Sequence, residues 1–151
     1  MSKNSAKQSQ SANIDPLAQA QLRFAWWALL FYLSIGIVLE MLHGFKIGWY
    51  LDVPNQSRRL MLTLGHAHGS LLALINLAFA LSIQTFQPKA SMARAGKCLK
   101  GALILMPLGF LSGGLITFGG DPGPGIILVP VGAVLLFVGV LLTAQNLGGE
   151  K

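Results

Sequence analysis

Two histidines stand two positions apart in the middle of an apolar stretch, in the run Thr63-Leu64-Gly65-His66-Ala67-His68-Gly69-Ser70. Imidazole there can ligate zinc, iron or copper, can hold a haem iron, or can carry protons, because it titrates near neutral pH. Residues two apart on a helix point about 200° from each other, so His66 and His68 cannot grip one ion while the helix stays regular. They flank a face of small residues, Gly65, Gly69, Ala73, Asn76 and Ala80. His66 lies about 60° to one side of that face and His68 about 100° to the other, so each is aimed at a different crevice. The structural alternative is that each ring is satisfied by Ser70, Asn76 or a neighbouring helix.

An earlier apolar run adds Glu40 and His43, three apart and therefore on one face, together with Gly36. Counted inward from Lys46 and Arg59, Glu40 and His66 both fall about 9 to 11 Å below the same boundary, so antiparallel neighbours bring them to one level. That level is expected to hold Glu40, His43, His66 and His68, with Asp121 above it. A carboxylate inside an apolar helix marks a functional site by default. Its alternative is an ion pair to Lys46, Arg58 or Arg59 that holds a loop in place. Asp121 reads as a turn residue, because its Gly/Pro-rich surroundings call for one. Three functions fit the layer: a transition-metal or haem site on His43, His66, His68 and Glu40; a proton relay through Glu40, His66 and His68 in a small transporter or channel; or the polar layer of a non-catalytic subunit.

The elements that position these residues are apolar helices. The chain has 151 residues, 53% of them hydrophobic and only 11% charged, too little charge to cover a water-soluble domain of this size. Four stretches reach the ~20 residues that span a bilayer, about 22–44, 60–86, 98–118 and 125–147. They are continuous rather than alternating, which excludes barrel strands. The reading is an all-α polytopic membrane protein, a four-helix antiparallel transmembrane bundle. A polar tail over residues 1–21 is expected to be disordered, and residues 148–151 form a second tail. Gly119-Gly120-Asp121-Pro122-Gly123-Pro124 reads as a tight hairpin between the last two spans, with Asp121 favouring turn initiation.

Lys3, Lys7, Arg23, Lys89, Arg94, Lys97, Lys100 and Lys151 fall on one side, and Lys46, Arg58 and Arg59 on the other. Eight against three places both termini in the cytoplasm, with a bacterial inner membrane as the expected location and the His/Glu layer toward the outer face. The basic residues are scattered around apolar runs, so nucleic acid is not an expected partner; the bilayer is. Trp26, Trp27, Trp49 and Tyr50 lie near span ends, as interfacial aromatics do. Close packing in lipid needs small residues in line, and Gly36, Gly65, Gly69, Asn76, Gly109, Gly113, Gly132 and Gly139 supply them. Gly65 with Gly69 and Gly109 with Gly113 are GxxxG pairs, whose partner can be this chain or another copy. A homo-oligomer or membership of a membrane complex is therefore expected. Pro107 and Pro130 are expected to kink the third and fourth spans. Cys98 is the single cysteine and reads as a small apolar residue.

The His-x-His of His66 and His68 resembles the helix of haem-copper oxidase catalytic subunits whose two histidines serve different haems. Four spans are too few for that fold and the histidines for a copper centre are missing, so oxidase activity is not carried over. More broadly, the Gly-His-Ala-His-Gly helix followed by the Gly-Asp-Pro-Gly hairpin resembles a group of small bacterial four-helix membrane proteins with no assigned activity, over about residues 58–147. No Ser/His/Asp set, phosphate loop or HExxH occurs, and the five acidic residues offer no acid-base pair, so an enzyme is not expected.

Overall fold

Asp15 and Pro16 start the first helix. The Asp15 carboxylate accepts from the N–H groups of Leu17 (2.7 Å) and Ala18 (3.2 Å), and Pro16 occupies a first-turn position where its missing N–H has no intrahelical partner to lose. In the computed structural model, which describes residues 15–52, 56–86 and 92–147, α1 runs Pro16–Gly44. Residues 16–21, expected to belong to a disordered tail over residues 1–21, are therefore helical. Residues 1–14 and 148–151 lie outside the described residues. The polar Gln21 looks like tail in sequence but is fully buried, so its helix is held by a contact that hydropathy does not register. At the other end of α1 the chain turns back through Lys46, at φ +54°. The Lys46 N–H donates to the His43 carbonyl (3.1 Å) and the Ile47 N–H to the Leu42 carbonyl (3.0 Å), the paired bonds of a Schellman cap with lysine where glycine is usual.

A short helix, α2 (Gly48–Leu51), leads toward α3 (Gln56–Phe86), and α4 covers Met92–Leu115. Both long helices begin before the apolar runs at 60 and 98, because Arg58, Arg59, Arg94 and Lys97 are compatible with helix although polar. α4 stops at Leu115, short of the expected 118. The chain then forms a two-residue hairpin: Thr117 pairs with Pro122 and Phe118 with Asp121 across Gly119 and Gly120. Both turn glycines have positive φ, +56° and +92°, as a turn matching strand twist requires. Asp121 thus follows the turn instead of initiating it. The Gly123 N–H then donates to the Gly113 carbonyl at 2.9 Å, and a Cβ at Gly123 would overlap the Ile116 carbonyl. A 3-10 turn at Pro124–Ile127 runs into α5 (Leu128–Leu147).

Ninety per cent of the described residues are helical, and four helices, Pro16–Gly44, Gln56–Phe86, Met92–Leu115 and Pro124–Leu147, are long and apolar enough to cross a membrane. They form an antiparallel bundle in which each long helix packs mainly on its neighbour in sequence, in the order α1, α3, α4, α5. The small residues make these approaches. A Cβ at Gly65 would lie 2.7 Å from Leu111 of α4, and one at Gly69 would run into the Tyr32 ring of α1, so this pair serves two different neighbours. Gly109 faces Val129, Gly132 faces Met106 and Gly139 faces Leu99, which brings α4 and α5 together. These contacts lie within one chain. α5 fully buries only Gly132 and Gly139; Leu136 and Leu142 pack half-buried against the core, and Val134 and Phe137 are exposed, as the composition of a multi-pass membrane helix allows.

Pro107 lies inside α4 and has no N–H to offer the Leu103 carbonyl one turn back. The Tyr32 hydroxyl fills that position from α1, donating to Leu103 O at 3.0 Å. Pro130 differs: as the third residue of α5 it sits in the first turn, where no intrahelical bond is lost, and it lies outside the helix interior in which a kink was expected. Lower in the bundle, the Gln21 amide donates to Asn76 Oδ1, and Asn76 Nδ2 donates to the carbonyls of Leu72 (2.8 Å) and Leu99 (3.3 Å). This buried amide pair joins α1, α3 and α4.

Candidate ligand site

His66 projects from α3 onto the backbone of α1. Its ring lies over Gly36, where a Cβ would stand 2.8 Å from Nδ1 and 2.9 Å from Nε2, so only glycine leaves room for it. Its Nδ1 is 2.8 Å from the Tyr32 carbonyl oxygen. A carbonyl can only accept, so Nδ1 carries the proton and donates, and in the neutral ring Nε2 keeps a lone pair. A backbone carbonyl behind Nδ1 is the usual support of a histidine whose other nitrogen binds a metal.

His66 lies in the wall of an open cleft of about 960 Å³ at the end of the bundle where α1 stops and α3 begins. Leu33, Ile37, Leu39, Met41 and Phe45 make its apolar side; Glu40, His43, Tyr50 and Thr63 are its other polar-bearing residues. Glu40 and His43 are exposed, His66 is half-buried and Tyr50 is buried. The His43 ring stands edge-on to Tyr50, with centroids 6.5 Å apart. An adjoining recess of about 620 Å³ shares His43, Tyr50 and Thr63 and is lined further by Gln56, Ser57, Arg59 and Leu60.

Of the residues expected in one layer, Glu40, His43 and His66 share this cleft and His68 does not line it. The His68 Nδ1 donates to the Leu64 carbonyl of its own helix at 2.9 Å, and its ring packs on Phe110 of α4 at 4.8 Å between centroids. The 200° between positions 66 and 68 therefore sends one ring to α1 and the other to α4. Among the described residues, no three His, Cys, Asp or Glu side chains gather closely enough to hold a metal ion. Neither imidazole Nδ1 bonds to Ser70, whose buried hydroxyl makes no hydrogen bond among the described residues. Asn76 belongs to the amide pair with Gln21, away from the histidines.

Arg58 does not turn to Glu40. Its guanidinium donates to the Trp49 carbonyl (3.0 Å) and Thr117 Oγ1 (3.1 Å) and lies over the Trp49 indole at 4.8 Å, tying the α2 segment to the hairpin. Asp121 is exposed in that hairpin and does not line the cleft. Tyr32 is the residue that sequence reading passes over. Its backbone carbonyl supports His66, its ring crosses Gly69 and its hydroxyl meets Leu103, so one residue joins α1, α3 and α4 at the site. The available signal was a tyrosine one turn before Gly36 together with a proline in another span, a pairing that no local pattern joins.

Comparison with known protein families, with characterised proteins and with solved structures finds no match to this chain.

Proposed function

We propose that this is a haem-binding membrane protein whose cofactor occupies the cleft between α1 and α3, with His66 Nε2 as the iron ligand and His43 as the second imidazole within the same cleft. The observation that carries the reading is the bond from His66 Nδ1–H to the Tyr32 carbonyl, which sets the tautomer and leaves Nε2 as the donor atom. A haem iron needs only one or two protein ligands, whereas a bare ion needs three or more, and no such group of three gathers among the described residues. The apolar wall of Leu33, Ile37 and Phe45 suits a porphyrin face, and the cleft volume lies in the range of small-molecule sites. Proton conduction is less well supported, because beyond His66 the seam is packed by Tyr32, Leu72, Ala73, Leu103 and Met106.

The eight-to-three distribution of Lys and Arg supports cytoplasmic termini in a bacterial inner membrane, which turns the cleft outward. The exposed apolar faces of α1 and α5 support assembly with a second copy or with another membrane subunit. The test is direct: protein purified in mild detergent, without an oligohistidine tag, from haem-replete cells is expected to show a Soret band and stoichiometric haem. A colourless preparation that also fails to take up added haemin overturns the reading.

A further inference from the structure

The recess beside the cleft is lined by a cation, Arg59. Arg59 is half-buried, lines the 620 Å³ recess with Gln56 and Ser57, and among the described residues makes neither a hydrogen bond nor an ion pair. Its neighbour Arg58 is engaged with Trp49 and Thr117. Glu40, the carboxylate of the deeper compartment, is exposed and is not among the recess residues. A guanidinium on the wall of a recess can take an anion there, and its planar fork matches a carboxylate. The two compartments meet at His43, Tyr50 and Thr63, so one ligand can reach both.

We infer that the ligand of this site is a carboxylate-bearing amphiphile, its flat apolar body in the deeper compartment against His66 and its carboxylate on Arg59 in the recess. The inference rests on the haem reading for the body of the ligand and adds the group by which the protein selects it: a porphyrin with free acid side chains is bound, and its esters are discriminated against.

The experiment uses full-length protein in detergent and zinc protoporphyrin, titrated by fluorescence beside its dimethyl ester, with protein-free micelles as the partition baseline. The free acid is expected to bind about tenfold more tightly than the ester, the worth of one charge-assisted hydrogen bond. Arg59→Gln is expected to erase that difference and Arg59→Lys to keep part of it. Equal affinities for acid and ester in the unmodified protein overturn the anion site while leaving the porphyrin reading intact. If neither binds above the micelle baseline, both fall.

Discussion

The Tyr32 hydroxyl donates to the Leu103 carbonyl at 3.0 Å, and Leu103 is the residue whose helical donor is missing because Pro107 follows it by four positions. In hydrocarbon an unmet carbonyl has no water to turn to, so a proline in a span is tolerated when a neighbouring helix supplies the donor. Tyr32→Phe keeps the ring over Gly69 and removes only that donor; a loss of about 1 kcal/mol is expected. In a Pro107→Ala background the backbone N–H returns, and the same substitution is expected to cost clearly less. Thermal melting of the four proteins in one detergent measures the cycle; equal losses in both backgrounds would show that the bond does not compensate for the proline.

The two histidines should separate in a binding assay. His66→Ala is expected to abolish haem retention, because it removes the Nε2 that the Tyr32 carbonyl holds in place. His68→Ala, which removes a ring packed on Phe110 and bonded to its own helix, is expected to leave the spectrum unchanged and lower only the melting temperature. Loss of haem in both variants would show that the cleft is not the site.

Gly36 controls the position of His66. Gly36→Ala improves helix propensity by about 1 kcal/mol, so α1 should persist, but its methyl group occupies the space of the imidazole ring. Weakened haem affinity at nearly unchanged thermal stability is the expected pair of results. Retained affinity would mean that the ring moves aside without consequence.

The α4 and α5 interface contains its own control. A side chain at Gly132 meets the backbone of Met106, with the Cβ 2.7 Å from Met106 N, whereas one at Gly101 meets only the end of the flexible Leu135 side chain, 2.9 Å from Cδ1. Gly132→Ala is expected to destabilise by about 1–3 kcal/mol, as overpacking against rigid backbone does, and Gly101→Ala to be nearly neutral. Chemical or thermal unfolding in detergent compares them.

Lys46 holds the left-handed position of the α1 cap at φ +54°. Lys46→Gly should relieve about 1 kcal/mol of backbone strain and raise the melting temperature without altering the cleft, which Lys46 does not line. A fall in stability would show that the lysine charge at the helix C-terminus contributes more than the strain costs.

Four helices and their approximate extents are legible in the sequence because bilayer-length apolar runs allow only one way to pair the backbone, within each segment. Their ends are less legible. Gln21 and Arg94 are polar, yet they lie inside helices that begin before the apolar run, since hydropathy registers solvent preference and not backbone pairing. The hairpin shows the same limit: its composition announces a turn, but which residues take positive φ depends on how Thr117 and Phe118 register against Asp121 and Pro122.

The sequence by itself determined that His66 and His68 face opposite ways and that Glu40 and His43 share a face, because both follow from the rotation per residue of one helix. Only the tertiary structure decided that His66 meets the Tyr32 carbonyl over Gly36, that His68 meets Phe110, and that Arg59 lines a recess beside the same cleft. Those relations join residues tens of positions apart. They are set by how close small residues let the helices approach, a quantity that belongs to pairs of helices and to no single stretch of chain.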